Sequence, residues 1–257
     1  MGGMSQQLFI LTGASRGMGL AMAQQLLAAG HSLLCISRTE QASLTQQAES
    51  AQSSNASLQQ WCHDLSDSST LVPRLQTWLG QQAAIAWASV TLINNAGMIG
   101  RISPLSGATA KDLSHALRVG LEAPMLLTAA FLQATQNWPA ERKVLCISSG
   151  LGRKPMASQA AYCAAKAGMD HFMRCVALEE AHKAAGAKVC SLAPGVIDTE
   201  MQLHLRSASA TDFPDQERFT QLARSGQLTS PEAAAARVLA YLAQPEFGAQ
   251  TVADVRS

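Results

Sequence analysis

The sequence predicts a doubly wound α/β fold, a single three-layer α/β/α domain over residues 1–257 built on a seven-stranded parallel sheet. Two observations carry this expectation. Short apolar runs alternate with longer helical patterns along the whole chain, and most of the runs are continuously apolar rather than alternating. A strand of that kind is buried on both faces, as parallel strands are when helices cover the sheet. Strand–helix alternation of this length gives the doubly wound class. With 257 residues, 47% of them hydrophobic and 14% charged, the chain can bury a full core without metal or disulfide support.

The strands are expected at 8–12, 32–37, 58–62, 90–94, 143–148, 188–193 and 251–255. The helices are expected at 18–29, 41–53, 68–82, 110–137, 159–185 and 231–243. Gly30 ends the first helix where a left-handed residue is wanted. Thr109 and Asp112 form an imperfect capping box at the start of the long fourth helix. Ser230, Pro231 and Glu232 open the last one with a cap, a proline in the first turn and an early acid. The Gln/Ser-rich stretch 41–60 reads as a solvated helix and loop. Residues 195–229 break the rhythm, and a connection that long in an α/β domain is read as a substrate loop.

Composition excludes several classes. Disordered chains are more polar and more charged than this one. A formal net charge of +1 provides no basic field for nucleic acid. No apolar run reaches the roughly 18 residues of a membrane span. The start, Met1 to Gln6, lacks the basic and apolar regions of a signal peptide, and Gln6 stands where a myristoylation motif needs Ser or Thr. The cysteines, Cys35, Cys62, Cys146, Cys163, Cys175 and Cys190, form no CxxC and no zinc spacing with histidine. They read as small core residues in a reducing, cytoplasmic compartment, with no metal site.

Thr12-Gly13-Ala14-Ser15-Arg16-Gly17-Met18-Gly19 follows the first strand and opens the first helix. Glycines in that setting allow a tight turn and let backbone N–H groups approach a pyrophosphate at a helix N-terminus, the Rossmann arrangement. The second strand ends in Ser37-Arg38, where NAD sites carry an acid for the ribose hydroxyls. An acid there would repel a 2′-phosphate, whereas Arg38 can fork onto one and Arg16 can reach it. The expected cofactor is NADP(H).

The glycine turn, Asn94-Asn95-Ala96-Gly97, Ser149, Tyr162-x-x-x-Lys166 and Pro194-Gly195 stand in this order along the whole chain. With them the sequence resembles the short-chain dehydrogenase/reductase family. Arg218-Phe219, Gly226-Gln227-Leu228 and Pro231-Glu232 look most like the branch of sepiapterin and benzil reductases. The resemblance implies catalysis by Ser149, Tyr162 and Lys166. It also implies cofactor contacts from Gly13, Ser15, Arg16, Gly17, Met18, Gly19, Ser37, Arg38, Tyr162 and Lys166. Asp64 and Leu65 match the adenine contact, with a helix cap as the alternative for Asp64. Asn94, Ala96 and Gly97 match the ribose side, or a simple strand-end turn. Pro194, Gly195, Ile197 and Thr199 match the carboxamide clamp, or a turn after the sixth strand.

The chemistry of the reacting residues follows from their spacing. Tyr162 and Lys166 lie one helical turn apart on one face. An ammonium beside a phenol lowers the phenol pKa and equips it to exchange a proton with a carbonyl oxygen. Lys166 would also hold the nicotinamide ribose, and Ser149 would hydrogen-bond the carbonyl and steady the developing oxyanion. Gly120 departs from the family, standing where the active-site Asn holds a water that passes protons to Lys. Gly120→Asn is therefore expected to raise kcat a few-fold, provided that the side chain fits.

Met201, Leu203, Leu205, Phe213, Phe219 and Leu222 of the loop, with Met98, Ile99, Leu151 and Met156, are candidates for an apolar pocket or for core. Asp254 reads as a sheet-end acid, with the alternative, implied by the resemblance, of the acid that anchors the pterin in sepiapterin reductases. The leading reading is an NADPH-dependent reductase of a small ketone, diketone or pterin-like carbonyl. The alternative, motivated by Gly120, is a non-catalytic NADP(H)-binding sensor. A methyltransferase would account for the glycine turn but not for Tyr162 and Lys166. The long helices 110–137 and 159–185 are expected to pair across a two-fold axis in a homodimer or homotetramer.

Overall fold

The computed structural model describes residues 6–50, 56–83 and 85–256. The expectations for the chain start and for the last residues of the second helix, 51–53, lie outside them. Seven strands are β1 (Gln7–Thr12), β2 (Ser32–Ser37), β3 (Leu58–Cys62), β4 (Ser89–Asn94), β5 (Glu141–Ile147), β6 (Lys188–Ala193) and β7 (Val252–Asp254). They form one sheet in the order β3-β2-β1-β4-β5-β6-β7, with every neighbouring pair parallel. The helices are α1 (Gly17–Ala28), α2 (Ala42–Ser50), α3 (Leu71–Gln82), α4 (Ala110–Leu117), α5 (Ala123–Thr135), α6 (Ala160–Ala181), α7 (Glu200–Ser207), α8 (Gln216–Arg224) and α9 (Pro231–Leu242).

The period of a strand sends neighbouring side chains to opposite faces. Leu8 and Ile10 of β1 therefore join one core with Leu75 and Trp78 of α3, Phe131 of α5 and Met173 of α6. Phe9 and Leu11 join the other core with Met22 of α1, Leu44 of α2 and Val238 of α9. Every residue of β2 and of β4 is buried, which is why their sequences read as unbroken apolar runs. The strand order turns back between β1 and β4. Loops leaving the two strands diverge there, and a crevice opens at their carboxyl ends.

Three expectations are corrected. The long fourth helix is not uniform: Arg118–Glu122 makes a turn of π-helix between α4 and α5, with Ala123 N–H donating to the Arg118 carbonyl. Tertiary contact accounts for it, because Gly120 and Leu121 abut Ala165 and Gly168 of α6. The stretch 68–70 is not helical, since Ser66 and Ser69 N–H groups donate to Asp64 and Asp67 carboxylates at 2.9 and 3.1 Å instead. Residues 195–229 are not an irregular loop but carry α7 and α8. The ends of this segment are clasped by a parallel bridge between Ile197 and Thr229. Asp198 N–H donates to the Thr229 carbonyl and Thr229 N–H to the Val196 carbonyl, each at 2.9 Å. Leu205, Phe213 and Phe219 form a small core of their own with Ile102.

The expected end signals hold. Gly30 has φ +82°. Thr109 and Asp112 make a reciprocal capping box, and Ser230 Oγ accepts from Ala233 N–H at 3.2 Å.

Candidate active site

A cleft of about 920 Å³ runs along the carboxyl ends of the strands, from the β2–α2 connection to β7. Its first half is the turn between β1 and α1. Gly13, with φ +73°, lies so close to β4 that an added Cβ would stand 2.9 Å from Ala96 Cα. At Gly19 an added Cβ would fall 2.0 Å from the Gly13 carbonyl oxygen. Glycine is required at both positions by space, and at Gly13 by backbone conformation as well. Ser37 Oγ accepts from Ala14 N–H at 2.8 Å, which ties the end of β2 to the turn. Helix α1 begins with no side-chain cap and no acid in its first turn, so its N–H groups face the cleft unclaimed by side chains.

Gly13, Ser15, Arg16, Gly17, Met18, Gly19, Ser37, Arg38, Asp64, Leu65, Ala96 and Gly97 all line this half. Asn94 does not. It is 2% exposed, and its amide donates to Thr128 Oγ1 at 3.1 Å behind the strand. Asn95 takes its place in the wall and donates to the Thr12 and Gly13 carbonyls at 3.0 and 3.2 Å. The neighbouring Asn-Asn pair was visible in the sequence, but which of the two faces outward depends on where β4 ends. Asp64 lines the cleft while its carboxylate accepts from Ser66 N–H, a bond that draws its pKa below the usual range. It does not cap α3, which starts after Thr70. Arg38 makes no hydrogen bond or ion pair among the described residues, whereas Arg16 is paired with Glu200 at the start of α7.

The second half holds the residues expected to react. Ser149 is placed by the end of β5 and by a short 3₁₀ turn, Gly150–Gly152, whose Leu151 N–H donates to Ser149 Oγ at 3.1 Å. Helix α6 presents Tyr162, half-buried and hydrogen-bonded to the Ser149 side chain. One turn further on, Lys166 is 4% exposed and donates from Nζ to the Ile147 carbonyl at 2.7 Å. Burial lowers the Lys166 pKa to about 8.

The sequence expectation that Lys166 depresses the Tyr162 pKa is not met. Desolvation is the dominant influence and pushes the phenol up to about 12, although the Ser149 bond works the other way. The ammonium is turned toward Ile147 and stands 5.7 Å from the Tyr162 ring centroid. A phenol with a high pKa remains protonated at neutral pH, as a proton donor must.

Behind these residues lies a group that sequence reading missed. The Asp170 carboxylate is buried and accepts from Ser148 Oγ and Ser191 Oγ, both at 2.6 Å, and from Arg153 Nε at 3.3 Å. Arg153 also donates to the Ala253 carbonyl at 2.8 Å, so Asp170 joins β5, β6, β7 and α6 at the floor of the cleft. The signal was present: Tyr162, Lys166 and Asp170 repeat every four residues on a helix whose neighbouring buried positions, Met169, Met173 and Val176, are apolar.

Pro194, Gly195, Ile197 and Thr199 line the cleft, as do Met201, Leu205, Phe219 and Leu222 of the clasped segment and Met98, Ile99, Leu151 and Met156. Phe213 is buried core and Leu203 is exposed, and neither belongs to the wall. Asp254 lines the cleft with Arg256, which grips its carboxylate with two bonds of 2.8 and 2.7 Å.

Gly120 is buried in the π-turn, and an added Cβ would stand 3.0 Å from Ala165 Cβ. The condition attached to Gly120→Asn is therefore not satisfied, since Ala165 has no flexible end to move and precedes Lys166. Instead of a rate gain, Gly120→Asn is expected to cost about 1–3 kcal/mol of stability through overpacking and to lower kcat by displacing α6. Urea denaturation and steady-state rates measure the two effects. Pro124 has no N–H for the carbonyl four residues before it, that of Gly120.

A seven-stranded parallel sheet with a glycine turn at its switch point and a Ser–Tyr–Lys cluster beside it defines a class of nucleotide-linked oxidoreductases. The short chain dehydrogenase profile matches residues 7–210, and the chain belongs to that family. It is 37% identical over 238 residues to a benzil reductase ((S)-benzoin forming) of Bacillus cereus, covering 93% of this chain and 94% of the relative. A sepiapterin reductase of Xenopus tropicalis is 32% identical over 225 residues, with 85% and 84% covered. The crystal structure of a short-chain dehydrogenase/reductase from Burkholderia vietnamiensis superposes with a TM-score of 0.65 at 31% identity, covering 98% of this chain and 97% of that one. The protein is thus an oxidoreductase, and the sensor and methyltransferase alternatives give way.

Proposed function

We propose that the protein is an NADPH-dependent carbonyl reductase of small ketones, diketones or pterin-like carbonyls. The observation that carries the reading is the Ser149–Tyr162–Lys166 cluster in one cleft with a glycine turn and Arg38. The benzil reductase relative favours a vicinal diketone as the first substrate to try. The residues present fit a dinucleotide. The uncapped start of α1 would take the pyrophosphate and Asp64 the adenine amine. Lys166 would hold the ribose hydroxyls, and residues 194–199 would hold the carboxamide. When bound, the cofactor supplies the hydride.

The chain's own residues do the rest. Ser149 donates toward Tyr162, which leaves the phenol proton to be given to the carbonyl oxygen as charge develops there. Met98, Leu151, Met201 and Phe219 line the same cleft and give a small carbonyl compound apolar surface to pack on. A screen of NADPH oxidation over diketones, pterins, quinones and ketosteroids tests the reading, and absence of turnover with every class would overturn it.

For the cofactor, Arg38 makes no hydrogen bond or ion pair among the described residues, and Arg16 is shared with Glu200. Arg38→Asp is expected to reverse the preference from NADPH to NADH by at least about 10²-fold in the ratio of kcat/KM values, since a charge-assisted bond is replaced by repulsion. An unchanged ratio in the mutant would refute this assignment. The free thiols fit a reducing, cytoplasmic setting. Leu117, Met125, Leu126 and Leu178, exposed on α4, α5 and α6, are the surface on which a homodimer or homotetramer would assemble.

A further inference from the structure

Ser158 is the one residue other than glycine, among the described residues, whose backbone is left-handed, with φ +62°. A Cβ makes that conformation costly, and a side-chain-bearing residue held in it points to a constraint from its surroundings. Gln159 alone separates Ser158 from the start of α6, and Tyr162 stands four residues on. Gln159 N–H donates to the Met156 carbonyl at 3.4 Å, and Cys163 N–H donates to the Gln159 carbonyl at 2.9 Å. The chain therefore turns at Ser158 and enters the helix almost at once.

What holds Ser158 comes from far along the chain. Its Oγ donates to the Asp212 carbonyl at 2.5 Å. Asp212 lies in the connection between α7 and α8 and is itself fixed. Its N–H donates to Ser209 Oγ and to the Ser209 carbonyl, each at 3.1 Å, and Ser209 Oγ donates to its carboxylate at 2.9 Å. The next residue, Phe213, is buried in the small core with Leu205, Phe219 and Ile102. Met156, two residues before Ser158, packs against that same core. The clasped segment thus reaches the start of α6 twice, through apolar contact at Met156 and through a hydrogen bond at Ser158.

A shift in the first residues of a helix is passed on to the side chains of its first turn. Tyr162 is hydrogen-bonded to the Ser149 side chain, and a proton donor works only in a narrow range of positions. The segment that reaches Ser158 also supplies Met201, Leu205, Phe219 and Leu222 to the cleft. We propose that Ser158 is a positioning residue for Tyr162. Its hydroxyl ties the first turn of α6 to the clasped segment, so the proton donor is aimed by the same element that helps to wall the cleft. Ser158 itself does not line the cleft. The proposal rests on the reading of Tyr162 as the donor, but the tie between segment and helix can be read without turnover.

Ser158→Gly and Ser158→Ala separate aim from strain. Both remove the hydroxyl, but glycine adopts a left-handed backbone freely and alanine does not. Ser158→Gly is therefore expected to melt at a higher temperature than Ser158→Ala. Both are expected to lose about 10-fold in kcat while KM for NADPH stays unchanged. A residue needed only for its backbone conformation would behave otherwise, and wild-type kcat in Ser158→Gly overturns the proposal. Ser209→Ala loosens Asp212 from the other side. It is expected to lower kcat in the wild-type background and to add nothing in Ser158→Gly. Additive losses would count against the tie. Amide exchange across residues 159–166, followed by mass spectrometry on the whole protein without substrate or cofactor, is expected to be faster in Ser158→Gly and in Ser209→Ala than in wild type. Unchanged exchange in both overturns the coupling, whatever the rates. Failure of the donor reading looks different: Tyr162→Phe then keeps its rate while exchange in the Ser158 variants is still accelerated.

Discussion

Tyr162→Phe is expected to lower kcat by at least about 10²-fold, the usual scale for a positioned proton donor, while NADPH affinity stays nearly unchanged. The hydroxyl is the atom removed, and the contacts that would hold the dinucleotide lie on Lys166, the glycine turn and the 194–199 segment. Stopped-flow NADPH oxidation and cofactor fluorescence titration measure the two quantities. A mutant that keeps more than half its activity would move the proton donor elsewhere. The wild-type pH profile should follow Lys166 before Tyr162. With Lys166 near 8 and Tyr162 near 12, kcat/KM for reduction falls as pH rises through about 8, when the ammonium is lost and the phenol is still protonated. The sign for stability is opposite. From about 8 to the ordinary lysine value of 10.5, the unfolded chain binds a proton that the folded chain has released. The contribution of Lys166 to stability therefore increases with pH over that window. Activity that declines above pH 8 while this contribution grows is loss of a charge, not loss of fold.

The second large effect is expected at Asp170. Asp170→Ala removes the buried carboxylate on which Ser148, Ser191 and Arg153 converge, and it should cost about 3–5 kcal/mol. That is a large share of a typical folding free energy of about 5–15 kcal/mol. Asp170→Asn keeps the shape and one acceptor oxygen but loses the charge facing Arg153, and a smaller loss of about 1–3 kcal/mol follows. Urea denaturation of both variants measures the difference. Because Ser148 precedes Ser149 and Lys166 lies one turn before Asp170, the Asn variant should also lower kcat more than it raises KM. Equal stability of wild type and Asp170→Ala would show that the carboxylate is dispensable to the floor of the cleft.

Much of this molecule was legible in its sequence, for local reasons. Residues 12–19 combine a buried strand, glycines and a helix start within eight positions, a pattern carried by neighbours in the chain even though Gly13 approaches the distant Ala96. Tyr162, Lys166 and Ser149 were legible because the i, i+4 spacing on a helix and the end of a strand determine direction. What escaped was decided at a distance. The π-turn at Gly120 arises where two helices meet at Ala165, and Pro124, which cannot donate to the Gly120 carbonyl, marks the break in the sequence without giving its form. The choice between Asn94 and Asn95 hangs on the last pair of β4 with β5, Asn94 with Cys146. The rise in the Tyr162 pKa comes from desolvation by the assembled fold, whereas the sequence offered only the nearby ammonium. Helices α7 and α8 were obscured because they pack mainly on each other and on Ile102, not on the sheet. Asp170 was passed over because an acid on a helix is usually solvated, and only the fold brings three elements around it.

The clasp between Ile197 and Thr229 has a consequence for how this enzyme diversifies over generations. Its bonds use backbone groups alone, Val196, Asp198 and Thr229 meeting through N–H and carbonyl, so residues other than proline can replace Asp198 and Thr229 without removing a donor. The interval between them supplies Met201, Leu205, Phe219 and Leu222 to the cleft while its own small core closes on itself. Doubling a tethered interval of this kind costs only about 0.6 kcal/mol in closure entropy. Residues 200–228 therefore form an exchangeable cassette, in which descendants can rewrite what is recognised while the sheet, the 194–199 segment and the cluster of Ser149, Tyr162 and Lys166 are inherited unaltered.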